Sequence, residues 1–493
     1  MVFDIKTLRR KQTWLYLVLL SLFYVYYIAC VWNNPPGFYV DESSIAFNAY
    51  KISVSGADEH GVFLPLYFRA FGEYKNPFYI YLLAAVFKVF GPSIAAARVL
   101  SATFGFAAAA LLGLLAWRVG NSRAVGLFVA LTAFLTPWLY EISRLVFEIA
   151  LFPLALIMFL LFLRQTIVKP KWSLLNCLSI AAALAAVTYS YSIGRLLAPL
   201  LALGLAFFLT RRTWVKIGLT WIFYTLTLLP LLIFLQQNPE ALTSRFQYLS
   251  YITKDSEISE ILWQFAAHYG NNLSFSFLLV NGDPNPRHHV QSMGEIYLAT
   301  LVLAIIGLIW AIYLGWRDAW WRYVLYGLVV SLIPASLTRD DFHSLRLIAF
   351  PVFLLLLMIP ALSWVVGQAQ TKSLFRVIIV VLLGATIVQA VFFQRDFWQQ
   401  GRDASRMVAF ESEYPQVLDF ALENSDQPIY LVDDSYAHAW WYGTLKKTDL
   451  SRFKTGYPPP GAGNLMIGYK IFMTNCEPVV IKEPFAVCVN LPQ

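Results

Sequence analysis

The sequence predicts an all-α polytopic membrane protein of about eleven transmembrane helices, with external interfacial helices and a small external α/β domain at the C-terminus. Three observations predict it. Of 493 residues, 58% are hydrophobic and only 13% charged, a balance unlike that of a soluble globular chain. Apolar runs of about 20 residues, enough to cross a hydrocarbon core of roughly 30 Å, recur along the chain. Hydrophobicity then drops after Phe393.

The start, MVFDIKTLRRKQTW, is basic and runs into the first apolar segment without a small-residue cleavage site. A retained first helix is expected, not a cleaved signal peptide. The expected spans are 13–32, 95–117, 122–140, 147–164, 172–191, 196–210, 215–236, 294–316, 321–338, 345–366 and 374–395. Segment 76–90, NPFYIYLLAAVFKVF, is short: at about 1.5 Å per residue it reaches only about 22 Å. Charge decides its placement. With 76–90 flat on the membrane, Arg118/Arg123, Lys169/Lys171, Arg211/Arg212/Lys216, Arg317/Arg322 and Lys372/Arg376 all face the side of the basic N-terminus. With 76–90 spanning, all of them flip outside, against the positive-inside rule. An interfacial helix is therefore expected. The same rule, not nucleic-acid binding, accounts for the formal charge of +8.

This topology puts the N-terminus in the cytoplasm and every long polar segment outside: 33–94, 237–293 and the tail. The short cytoplasmic connections carry no Gly-rich phosphate loop. Chemistry is then expected outside, where an activated substrate arrives on a lipid. The chain divides into a transmembrane catalytic unit, 1–395, and an external domain, 396–493. In the latter, YPQVLDFALENSDQPIYLVDD reads as helix, turn and β-rich run, and GYPPPGAGN as a loop. Cys476 and Cys488 fall in this domain and are expected to pair in an oxidising compartment, with free buried thiols the alternative. Cys30 and Cys177 fall within spans.

Charged residues gather at the external rim. Asp41 and Glu42 open DESSIAFNAYKI, where Asp41 caps a helix, serves as an ionised carboxylate at headgroup depth, or both. Lys75 in GEYKNPFYIYLL either snorkels or binds a lipid phosphate. Arg98 stands at the entrance to a span, where a charge costs a few kcal/mol unless paired. Glu141, Arg144 and Glu148 follow i, i+3, i+7 spacing, so a helical turn would align them, with an Arg144 ion pair the plain reading. Asp283, Arg287, His288 and His289 lie in NGDPNPRHHVQSMGEIY, and Arg339, Asp340, His343 and Arg346 in TRDDFHSLRLIAFP. Adjacent histidines do not share a helical face, and zinc needs three or four converging ligands. A loop closing over a site is expected there instead, with no metal assigned. Arg346 suits planar phosphate recognition.

The order of these segments, YVDES, YKNPFYIYLL, FGPSIAAARVLSA, SRLVFEIALF, GDPNPRHH and HSLRLIAFP, resembles the GT-C glycosyltransferases. The resemblance is to the glycosyltransferase family 39-like branch of protein O-mannosyltransferases and aminoarabinose transferases, and it covers roughly residues 10–350. It implies a bacterial-type plasma-membrane enzyme moving a hexose or pentose from a polyprenyl-phosphate sugar to a protein, lipid or glycan hydroxyl, with inversion. Asp41 matches the catalytic base, and Lys75 matches a donor-phosphate contact. Glu42 and Glu148 are further catalytic candidates, although relatives often have Asp at the latter position. Arg98 and Arg346 join Lys75 as candidate phosphate ligands, and Arg144, Arg287, His288, His289 and His343 are candidate substrate or loop contacts. No cofactor is implied, and a metal is often dispensable in this branch. A glycan flippase or other transporter, and a glycan polymerase or ligase, are the competing readings.

Overall fold

The computed structural model describes residues 5–401, 403–459, 463–473 and 476–490. The expected loop around GYPPPGAGN lies partly outside these residues, as does the extreme N-terminus. Among the described residues, six helices are long and apolar enough to cross a membrane: Ile94–Gly120, Glu148–Ile167, Trp214–Gln237, Leu298–Gly315, Phe350–Ala369 and Ser373–Gln400. Shorter apolar helices occupy Leu17–Ile28, Pro77–Phe90, Arg123–Leu135, Leu174–Ser190 and Gly194–Phe208. Every expected span thus contains helix, but several are shorter than drawn from hydropathy. The expected span 321–338 is a helix only over Ala319–Ser331, and a separate turn of helix follows at Pro334. Proline lacks the N–H that would continue the ladder, which explains the interruption. Likewise, the last long helix runs to Gln400 rather than ending at 395.

Glycines set the closest helix contacts. A Cβ on Gly113 would fall 2.5 Å from that of Ala130, and one on Gly307 would fall 1.6 Å from the Leu357 carbonyl oxygen. Small residues at such crossings let apolar helices pack where lipid competes equally well for large side chains.

Between the first two long helical regions, helix Val40–Ser55 leads to a hairpin, β1 (Phe68–Ala70) and β2 (Glu73–Lys75), paired antiparallel. Lys75 ends β2, and Asn76 then enters helix Pro77–Phe90 with Pro77 in its first turn.

The tail forms a five-stranded sheet in the order β4-β3-β5-β7-β6. Its strands are β3 (Ile429–Leu431), β4 (Phe453–Thr455), β5 (Leu465–Tyr469), β6 (Cys476–Lys482) and β7 (Phe485–Asn490). The β3–β4 pair is parallel and is joined through helix Tyr436–Lys446, as a parallel connection requires. β7 pairs antiparallel with both β5 and β6, and a disulfide joins Cys476 on β6 to Cys488 on β7, their Cα atoms 5.6 Å apart. This unit packs on the segment 33–94. Phe38 stacks on Trp441 at 5.8 Å between ring centroids, and Phe47 meets Trp440 at 5.4 Å.

Candidate active site

Tyr39 precedes helix Val40–Ser55, and Glu42 in the first turn reaches back to accept the Tyr39 amide at 2.9 Å. Glu42, not Asp41, therefore closes the helix N-terminus, contrary to the capping role considered for Asp41. The same carboxylate accepts the Val146 amide at 2.9 Å and pairs with Arg98 Nη2 at 2.9 Å. Arg98 directs its remaining N–H groups to the carbonyls of Pro35 at 2.7 Å, Gly37 at 2.9 Å and Val31 at 3.3 Å. Both side chains are fully buried. The structure thus brings Arg98 to Glu42 and the 31–37 backbone, and neither residue lines the cavities described below.

Arg144 behaves similarly. Its guanidinium donates to the carbonyls of Asn34, Tyr27 and Ala29 and to the Tyr140 hydroxyl. The expected helical alignment of Glu141, Arg144 and Glu148 does not form. Helix Pro137–Ile142 stops, a turn intervenes, and a short 3-10 helix begins at Glu148. Glu141 instead meets His289 Nδ1 at 2.8 Å and Arg406 at 3.4 Å.

Asp41 lies against a different partner. Its half-buried carboxylate pairs with the Lys75 ammonium, which is itself buried. Burial alone would depress the Lys75 pKa, but Asp41, then Glu148 and Glu73, hold it above its ordinary value, so the ammonium stays charged. Glu148 lies beside this pair and accepts the Asn76 amide at 2.6 Å.

These groups line two adjoining cavities. The smaller, about 110 Å³, is walled by Asp41, Glu73, Lys75, Asn76, Glu148 and Arg195. The larger, about 560 Å³, contains Asp41 and Arg195 again, together with Tyr39, Arg287, His288, His343 and Arg346. Asp41 is thus shared by a small polar chamber and a larger chamber rimmed by cations and imidazoles. Arg287 lies over the Tyr39 ring at 4.2 Å, and Arg346 is held by Thr338 at 2.8 Å and by Asp340.

No family model and no curated protein matches the chain. Among solved structures, ArnT from Cupriavidus metallidurans bound to undecaprenyl phosphate superposes with a TM-score of 0.60 at 12% identity, over 98% of this chain and 98% of that one. The chain has the ArnT fold. The apo crystal structure of the same ArnT gives the same values. The GT-C architecture that the sequence resemblance implied is therefore the architecture present.

On this ArnT-like fold, sequence reasoning passed over Arg195. It opens helix Gly194–Gly204, and its Nε donates to the Ser192 carbonyl at 3.3 Å. Its buried Nη1 has no hydrogen-bond partner among the described residues, in the wall common to both cavities. The available signal was YSYSIGRLL, an Arg behind a polar tyrosine-serine run at a span entrance.

The two neighbouring histidines of the ArnT-like chain separate. His289 is fully buried, with Nδ1 2.8 Å from the Glu141 carboxylate as an ion pair and Nε2 donating to the Met293 carbonyl. Burial opposes its charge, but Glu295 and Glu141 prevail and raise its pKa to about 10. His289 is accordingly an imidazolium that braces the loop. His288 faces the larger cavity, with Nδ1 3.0 Å from Asp283. His343 comes in from the 338–346 loop, its ring 4.9 Å from that of His288.

Proposed function

We propose that this protein is a membrane glycosyltransferase that moves a sugar from a polyprenyl-phosphate donor to an acceptor hydroxyl at the external membrane rim, with inversion. One observation carries the reading: the Asp41 carboxylate, paired with Lys75, lines both cavities together with Arg195, whose buried Nη1 has no partner among the described residues. The similar ArnT structure holds undecaprenyl phosphate, which supports a donor of that class.

The chemistry follows from the charges. A displacement at the anomeric carbon needs one base for the acceptor proton and cations for the charge growing on the leaving phosphate. Asp41 is the base, and Lys75 and Arg195 hold the phosphate, with Arg346 further along the wall. Lys75 also restrains Asp41, because a carboxylate paired with an ammonium is a weaker proton acceptor. A donor phosphate competes for that ammonium and so frees the base when the donor is in place. Glu148 fixes the Asn76 backbone and keeps Lys75 charged, which makes it an electrostatic support for this step. Glu42, Arg98 and Arg144 shape the loop that carries Asp41, and Arg287 and His343 face the acceptor side.

The test uses purified protein with synthetic polyprenyl-phosphate sugars and measures polyprenyl phosphate released in the presence of candidate protein, lipid and glycan acceptors. Release that depends on Asp41 and on an acceptor supports transfer. A flippase or other transporter would release none.

A further inference from the structure

We propose that the cavity walled by Trp117, Arg118, Asn121, Arg164, Gln165 and Lys169 binds the headgroup phosphate of an anionic phospholipid. Its volume is about 510 Å³, and among the described residues its lining holds three cations, two amides and no carboxylate. The cavity stands at the far ends of two packed helices, Ile94–Gly120 and Glu148–Ile167. Arg98 and Glu148 stand near their starts, beside the candidate active site, whereas Arg118 and Arg164 belong to their last turns. From Arg98 to Arg118 one helix rises about 30 Å, the thickness of a hydrocarbon core. The cavity is therefore separate from the chambers around Asp41 and falls at the headgroup depth of the other leaflet.

The positive charges of this wall are not neutralised by the chain. Among the described residues, Arg118, Arg164 and Lys169 make no side-chain ion pair or hydrogen bond. By contrast, Arg98 meets Glu42, Arg346 meets Asp340 and Arg406 meets Glu141. Asp318 is within electrostatic reach of Arg164, but its carboxylate accepts the Trp320 amide at 2.9 Å. Helix C-termini attract cations, yet each supplies only about half a negative charge, so two of them offset about one of the three positive charges. A solvated patch of basic side chains is the plain alternative. Arg164 argues against it. Its half-buried guanidinium lies over the buried Trp320 ring at 5.5 Å, and its buried Nε has no partner among the described residues. A phosphate group presents the oxygens that guanidinium groups bind, and Asn121 and Gln165 supply neutral donors beside them. The flank of the cavity favours a lipid over a soluble anion. Trp117 and Val168, both exposed, border it where acyl chains would run. Basic pockets between membrane helices hold lipid headgroups in this way.

The experiment is a lipid titration of full-length protein, delipidated in neutral detergent and read by native mass spectrometry. Wild type should bind one phosphatidylglycerol at least about 10-fold more tightly than phosphatidylcholine, whose choline cancels the attraction of its phosphate. The double variant Arg118→Gln/Lys169→Gln, which changes two exposed side chains, should lower phosphatidylglycerol affinity by about 10–30-fold. Arg164→Gln alone should lower it by about 5-fold. The double variant Arg211→Gln/Arg212→Gln removes two exposed charges that do not line the cavity and should leave affinity unchanged. Should Arg164→Gln fail to fold, the exposed Arg118→Gln/Lys169→Gln variant decides. A further arm adds inorganic phosphate at millimolar concentration, which should not displace the lipid. Equal affinity for the two lipids, equal losses in the two double variants, or displacement by inorganic phosphate would overturn the proposal.

Discussion

Arg98 and Glu42 meet at full burial through two hydrogen bonds, Nη2 to Oε2 at 2.9 Å and Nε to Oε1 at 3.3 Å. An unpaired buried charge is expensive, so removing one partner should destabilise the fold by about 3–5 kcal/mol. Arg98→Ala and Glu42→Gln should therefore lower the melting temperature and yield of detergent-purified protein. Donor affinity per folded molecule should change little. An Arg98→Ala protein with native melting but lost donor binding would instead support the phosphate role that the sequence suggested.

The proposed base can be tested apart from the helix end, because Glu42 performs the helix closure. Asp41→Asn should lower turnover by about 10²–10⁴-fold, the usual worth of a general base, without weakening donor binding, because the phosphate then no longer competes with a carboxylate for Lys75. Arg195→Gln should instead weaken donor binding, since the phosphate is present before and during transfer. Normal turnover in Asp41→Asn would remove the base from the mechanism.

What the sequence revealed followed from physical period and length. Apolar runs located the helices, and the charged residues at their ends located the region where Asp41 and Lys75 meet. Pairing was not legible. A buried Arg at a span entrance looks the same whether it serves Glu42, as Arg98 does, or a phosphate. The regular spacing of Glu141, Arg144 and Glu148 implied one helix face, but the chain breaks after Ile142 and sends Glu141 to His289 and Arg406. Arg195, with no acidic neighbour in sequence, gained meaning only when folding placed it between two cavities.

Stability should depend on pH through Glu59. Its carboxylate is enclosed, and burial raises its pKa from 4.5 to about 8, with Asn48 and Lys75 offsetting only part of the effect. The folded state then binds a proton that the unfolded state has already lost between these values. This contribution is complete below the unfolded pKa and is lost as pH rises through the folded one. Melting temperature should fall between about pH 5 and 8 in wild type. Glu59→Gln should flatten that slope and melt higher at pH 8. A slope unchanged by the substitution would assign it to other groups.

The last relationship couples the tail to the base. Glu411 accepts the amide of Val40, the residue before Asp41, at 2.7 Å, and His438 Nε2 at 2.7 Å. His438 Nδ1 in turn contacts the Ser43 hydroxyl at 2.8 Å, one turn into the helix that carries Asp41. The tail therefore grips the start of that helix from two sides. His438→Phe keeps a ring to pack on Tyr414, 4.5 Å away, while deleting both polar contacts. If the grip positions Asp41, this change should lower kcat by about 5–10-fold with donor binding intact, because a misplaced base loses part of its rate advantage. The decisive measurement is the double variant. With Asp41 already replaced by Asn, no base remains to position, so His438→Phe should cost almost nothing more. Equal losses in both backgrounds would mean that the tail merely covers the loop.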